Sequence, residues 1–143
     1  MSNDESDVLA ATKRFYDAIE VMICGGGLEP MKAAWHRGPN VTSGHPLGRW
    51  AQGWDEVLAT WEEFASFGRP EAGGSSVDDL HAQVFGDTAY TISVFRSSKA
   101  FGGVTMNCTN VLRRIDGAWK IVHHHADRTP SMEKSLEALV AAG

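Results

Sequence analysis

The hydrophobic rhythm of the chain changes once. Up to about residue 67 the apolar positions recur at helical spacing, and from about residue 77 they alternate. Val8, Thr12, Phe15, Ile19 and Met22 fall on one face, widened by Leu9, Tyr16 and Ile23. That stripe predicts a long amphipathic helix over 6–24, with Ser6 as its N-cap. Gly25-Gly26-Gly27 ends it; without a preceding strand or a following Lys-Ser/Thr the run reads as a helix stop, not a phosphate loop. "EPMKAAWH" predicts a short helix over 29–36, with Pro30 in its first turn. "NVTSGHPLGRWAQG" reads as a brief strand and a Gly/Pro loop. Trp54, Val57, Leu58, Trp61 and Ala65 share a face, so a third helix spans 54–67 before Gly68, and "GRPEAGGSS" is a connector.

The strands come next. "DDLHAQVF" and "TAYTISVFR" flank Gly86-Asp87, and "VTMNCTNVLRRI" and "AWKIVHHHAD" flank Asp116-Gly117. Such dipeptides between apolar runs predict hairpins, and together an antiparallel sheet over 77–127. Pro130 opens a last predicted helix over 131–142, with Met132, Leu136, Leu139 and Val140 as its stripe. Helices first and a strand meander afterwards mean α+β. The expected architecture is a single domain over 1–143, a curved antiparallel sheet wrapped around the long N-terminal helix. That arrangement is a cone with one open mouth, where a small-molecule pocket is expected.

Bulk properties narrow the partners. The 143 residues carry 18 acidic and 13 basic side chains, a net charge of -5. A nucleic acid or an anionic membrane surface would need a basic face, so neither is expected as a partner. No apolar run reaches the roughly 20 residues that span a bilayer. The start, "MSNDESD", lacks the basic and apolar regions of a signal peptide, and Cys24 and Cys108 stand alone without a CxxC. A cytoplasmic protein with reduced thiols is expected.

Hairpin arithmetic places the candidate chemistry. The turn at 116–117 sets Ile115 opposite Ala118, hence Leu112 opposite Ile121, Asn110 opposite His123 and Cys108 opposite His125, while Thr109 meets His124 on the other face. Three consecutive histidines therefore divide between two faces unless a bulge intervenes. The turn at 86–87 pairs His81 with Ile92 and puts Tyr90, Ile92, Val94 and Arg96 on one face, expected to contribute to the cavity. Arg96 has two readings: a snorkelling edge residue, or an anchor for a ligand carboxylate or carbonyl. The histidines have three. His123 and His125 with His45 could offer metal ligands, but no spacing is diagnostic, and neither a metal nor another cofactor is expected. They could hydrogen-bond within the sheet end. They could transfer protons, with Asp127 setting a tautomer. Trp50, in the Gly/Pro loop, is a candidate cavity-mouth contact, and Tyr16 is either core or a pocket donor.

The phrases "HPLGRWAQGWDEV", "GDTAYTISVFR" and "TNVLRRIDGAWKIVHHHAD", with the order of elements, resemble the SnoaL-like branch of the nuclear-transport-factor-2-like superfamily. That branch sits beside ketosteroid isomerases, polyketide cyclases and the association domain of calcium/calmodulin-dependent kinase. The resemblance implies the cone fold and a homodimer formed through the outer sheet face. Ketosteroid isomerases carry a general-base Asp before Pro-Val-Gly; here His45 precedes Pro46-Leu47-Gly48. Their oxyanion Tyr falls at or beside Phe15, next to Tyr16, and their protonated Asp falls near Val111, so the acid is missing. The kinase association domain resembles residues 109–125 and lines its pocket with arginines. Arg96 matches one, while Asn110 and Ala126 stand in place of two others. This comparison turns the face of Arg96, Asn110 and His123 inward; the isomerase comparison favours the face of His124 and Val111. The first is the longer match and is preferred.

The expected function is binding of a small, largely apolar organic molecule with a polar oxygen, contacted by Tyr16, Trp50, His81, Arg96 and Asn110. Proton transfer next to a carbonyl, as in an isomerase, cyclase or dehydratase, would fall to His45 or His123, supported by His125 and Asp127. The alternative is a non-catalytic dimeric binding or assembly domain.

Overall fold

The first helix, α1, runs Asn3–Ile23, starting earlier than its expected cap, so that Ser6 lies inside it. Asp4 and Glu5 in its first turn face the positive end of the helix dipole. Its last turn closes as a Schellman motif: Gly26 N–H donates to Val21 O at 2.8 Å and Gly25 N–H to Met22 O at 3.1 Å. Gly25 takes φ +85°, a left-handed value that a side chain would disfavour. The computed structural model describes residues 3–45, 48–128 and 139–142. The second and third helices, α2 (Glu29–Ala34) and α3 (Trp54–Ala65), each end two residues before their expected stop. Of the expected helix over 131–142, residues 139–142 are helical, and 131–138 lie outside the described residues.

Among the described residues six strands form one sheet: β1 (Thr42–Gly44), β2 (Ala51–Gln52), β3 (Ser76–Phe85), β4 (Thr88–Arg96), β5 (Thr105–Ile115) and β6 (Ala118–Arg128). Their order is β2-β1-β6-β5-β4-β3. The β3–β6 meander is antiparallel, as the two hairpin turns require. Gly86 alone takes positive φ in the first turn, the II′ pattern; Asp116 and Gly117 both do in the second, the I′ pattern. The sheet is not purely antiparallel, however, because β1 joins β6 in parallel, with Thr42 opposite His123. A three-residue strand is too short to show a period in the sequence.

One irregularity decides which side chains of β6 face the helix. The β5–β6 ladder begins as expected, with Ile115 opposite Ala118 and Leu112 opposite Ile121. It then shifts: Val111 faces His123, and Val122 is the extra residue of a β-bulge. Beyond the bulge Asn110 meets His124, not His123, and Cys108 meets Ala126, not His125.

The helix α1 lies across the concave face and touches β3, β4, β6 and α3. Phe15, fully buried, is the hub of this contact. Its ring centroid lies 5.1 Å from Tyr16, 5.8 Å from Trp61, 6.2 Å from Trp35 and 4.8 Å from the His124 ring. At the other end of the helix, Arg114 bonds Asp4 at 2.6 Å and Asp87 at 2.8 Å while stacking over Trp119, which pins the first turn to both hairpins. Among the described residues no helix is long and apolar enough to cross a membrane.

Removing the hub should therefore loosen helix and sheet together. Phe15→Ala is expected to cost about 3–5 kcal/mol and to lower the melting temperature by roughly 10 °C. Thermal unfolding followed by circular dichroism measures this, and an unchanged midpoint would show that the helix is anchored elsewhere.

Candidate functional site

Between α1 and the sheet a cavity of about 350 Å³ remains open. The second half of α1 supplies Tyr16, Ile19, Met22 and Ile23, and α3 adds Trp61 and Phe64. Phe95 of β4, Ser97, Phe101 and Val104 from the β4–β5 connection, and Met106 and Cys108 of β5 form the far wall. His124, Ala126 and Arg128 of β6 complete it, with His45 just beyond β1. Most of this surface is apolar, so the few polar groups decide what the cavity can do.

Two of those polar groups, Tyr16 and His124, are joined through Asn110, which is completely buried. Its Nδ2 donates to the Tyr16 hydroxyl at 3.1 Å and to Thr91 Oγ1 at 3.3 Å. Its Oδ1 lies 2.7 Å from His124 Nδ1. An amide oxygen only accepts, so the imidazole proton sits on Nδ1 and Nε2 is left as the free, unprotonated nitrogen. The Tyr16 hydroxyl is also 2.6 Å from Ser93 Oγ, and Thr12 and Thr91, both buried, have their hydroxyls 3.4 Å apart. Every member therefore has a partner, as burial in a low dielectric demands.

His45 stands beside this network. Its ring packs edge-on against Trp61 and Phe64, each with centroids 5.0 Å away, and lies 5.6 Å from the His124 ring. Its Nε2 is 3.2 Å from the Ser43 hydroxyl, which is itself buried. Desolvation, and then the charge of His125, lowers the His45 pKa to about 4. His124 is lowered well below the ordinary imidazole range, by burial first and then by the neighbouring imidazoles His45, His123 and His125. Both rings are therefore neutral at pH 7. Burial pushes the Cys108 thiol up to about 11 and also raises the Tyr16 phenol, so neither ionises near neutrality.

The remaining expected site residues lie elsewhere. Alternation along β4 buries Ala89, Thr91 and Phe95 and exposes Tyr90, Ile92 and Arg96, so Arg96 projects from the convex face and not into the cavity. His81, opposite Ile92 as expected, is exposed on the same outer face. The bulge turns His123 and His125 outward as well. His123 Nδ1 lies 2.6 Å from Thr42 Oγ1, and His125 Nε2 is 3.6 Å from the exposed Asp127 carboxylate. Trp50, 51% exposed, lies over both outer rings, 5.8 Å from His123 and 4.9 Å from His125, and so faces away from the cavity mouth. His45 and the outer pair thus occupy opposite sides of the sheet. Among the described residues no three His, Cys, Asp or Glu side chains gather as a metal-binding set.

Of the nine expected residues, Tyr16 and His45 line the cavity, and Asn110 supports it from behind. Arg128 was not among the expected residues, and neither was His124, which replaces His123 as the inward imidazole and whose face only the isomerase comparison had favoured. Its signal was weak: Trp119, Ile121 and Ala126 are buried on one face, and only an extra residue between Ile121 and His124 lets them share it.

The lowered imidazole pKa values make stability depend on pH. Below about pH 6.5 the unfolded chain protonates these rings, whereas the folded chain resists doing so down to about pH 4 at His45. Their contribution is therefore complete above pH 6.5 and is lost as the pH falls, by roughly 1.4 kcal/mol per pH unit and per ring. The melting temperature is expected to drop steadily from pH 7 towards pH 4.5, and more gently in His124→Gln. Parallel slopes in the two proteins would contradict the neutral, buried state of His124.

Comparison with known proteins agrees with this architecture. A family model described as a SnoaL-like domain matches residues 8–127. A provisionally assigned calcium/calmodulin-dependent protein kinase type II association domain from Thiobacillus denitrificans is 30% identical, with a TM-score of 0.70 over 83% of this chain and 92% of that one. A provisionally assigned dehydratase of the NTF2-like family from Streptomyces avermitilis is 25% identical, with a TM-score of 0.74 over 90% and 97%. A provisionally assigned ketosteroid isomerase from Parabacteroides distasonis, 18% identical, shares the fold with a TM-score of 0.67 over 85% and 86%. No curated protein matches significantly. With its α+β cone and a family match over most of its length, the chain belongs to the SnoaL-like family of nuclear-transport-factor-2-like, cystatin-like folds.

Proposed function

We propose that the cavity binds a small, largely apolar carbonyl compound and moves a proton next to its carbonyl, as in an isomerase, cyclase or dehydratase. The observation that carries this reading is the locked tautomer of His124, whose free Nε2 belongs to a ring in the wall of an apolar cavity. In the proposed step, Nε2 takes a proton from the carbon beside the carbonyl. The electron pair of that C–H bond moves onto the carbonyl oxygen, giving an enolate. His45, with Ser43 donating to its Nε2, keeps its proton on Nδ1 and donates to the developing oxyanion. Tyr16, already the acceptor of an Asn110 N–H, is the second donor. Return of the proton from Nε2 to another carbon completes an isomerisation; in a dehydration the enolate electron pair expels the β-hydroxyl, which takes that proton from Nε2 and leaves as water. The 25% identity to the Streptomyces avermitilis protein, provisionally a dehydratase, supports this class.

Proton exchange in deuterated water tests the reading without knowledge of the natural substrate. Proton NMR on a panel of enolisable aryl and alkyl ketones should show exchange with the wild-type protein. His124→Asn should lower the rate by about 10²–10⁴-fold and His45→Gln by less. His123→Asn, on the outer face, should leave it unchanged. A wild-type protein inert towards the whole panel removes the catalytic reading.

A second reading has its own support. The convex face exposes Phe85 (67%), Ile92 (46%) and Tyr90 (39%), and a kinase association domain is the relative at 30% identity. We propose that the chain forms a homodimer through this face, and without turnover it would be a ligand-binding or assembly domain. Sedimentation should give a dimer for the wild type and a folded monomer for Ile92→Glu. A monomeric wild type at micromolar concentration would overturn this arrangement.

A further inference from the structure

The cavity distributes charge in a way that its apolar character hides. The chain carries more acidic than basic side chains, yet no Asp or Glu lines the cavity among the described residues. One cation does: Arg128, at the end of β6. It lies opposite Met106 on the ladder and keeps the inward parity of His124 and Ala126. Its guanidinium has no carboxylate partner among the described residues; its backbone N–H donates to Asp127 Oδ1 at 3.1 Å. The other arginine near this rim, Arg69, is occupied. It pairs with Glu71 at 3.3 Å, donates to Ala100 O at 3.3 Å and stacks over Phe101. A guanidinium without a carboxylate partner among the described residues, at the edge of a wall of Phe95, Phe101 and Met106, suits a ligand with an apolar body and a charged end.

We propose that the ligand is an amphipathic carboxylate, its anionic end held by Arg128 at the rim and its carbonyl placed among the imidazoles at the base. This rests on the reading of the cavity as a site for a carbonyl compound and adds which class of carbonyl compound. His124 and Arg128 are four residue steps apart along β6, roughly 13 Å between Cα atoms. The carboxylate therefore belongs several bonds from the reacting carbonyl, which favours a remote keto acid over a 2-keto acid. A single guanidinium with no second cation in the described lining matches one negative charge, and so a carboxylate over a doubly charged phosphate.

Calorimetric titration with benzoylbutyric acid and with its primary amide tests this. Both carry the aryl ketone, and only the acid carries the charge. At low ionic strength the wild type should bind the acid about tenfold more tightly than the amide. Arg128→Gln should abolish that preference by weakening the acid alone, and Arg128→Lys should restore part of it. Equal affinities for acid and amide in the wild type, or a preference that survives Arg128→Gln, would overturn the proposal and leave the carbonyl reading standing. Binding of neither compound would overturn both.

Discussion

A primary amide sealed from water must have its N–H and C=O groups engaged, and Asn110 meets that demand by holding three elements in one arrangement. Its two N–H groups reach Tyr16 on α1 and Thr91 on β4, and its oxygen reaches His124 on β6. Leaving any one of these buried partners unmatched would cost about 1–3 kcal/mol. The helix cannot slide along the sheet, nor the imidazole turn over, without breaking one of these buried bonds. The apolar contacts around Phe15 supply the driving force for bringing α1 onto the sheet, but they are indifferent to small shifts. The polar network is not, and so it sets the register of the helix against the strands and the tautomer of the histidine at once.

The bulge at Val122 gives three identical neighbours three environments. His124 goes into the dry interior, where desolvation keeps it neutral. His123 and His125 go to the convex side. There His123 shares a hydrogen bond with Thr42, and His125 lies between the Trp50 ring and the Asp127 carboxylate. One extra residue in a strand thus decides which imidazole faces the cavity and which meet solvent. The parallel strand β1 continues the same logic, because its pairing with His123–His125 delivers His45 to the cavity side of the sheet.

The cavity joins two regimes. At its base neutral imidazoles and a phenol stand in apolar surroundings, where a hydrogen bond to a developing negative charge is strong. At its rim a guanidinium meets water. Because one fold of this kind hosts many chemistries, function has to be argued from such local differences and not from the cone itself.

The helical stripe on α1, the two Gly/Asp turns and the shift from helical to alternating rhythm are local properties, so the chain alone was enough to determine the α+β cone, the two hairpins and the buried face of α1. Tyr16 and His45 were legible too, one from its place beside the buried stripe and the other from the Pro-Leu-Gly motif after it. The inward histidine was not. A bulge costs little and leaves no compositional mark in a run of Val and His, and parity beyond it inverts, so arithmetic from the turn placed His123 where His124 belongs and Asn110 beside the wrong partner. Arg96 was misplaced for a related reason. Alternation tells that Tyr90, Ile92 and Arg96 share a face with one another, but not which face α1 will cover. Only the packed structure decided that, because the helix selects the face whose polar groups, Thr91 and Ser93, it can satisfy with Thr12 and Tyr16.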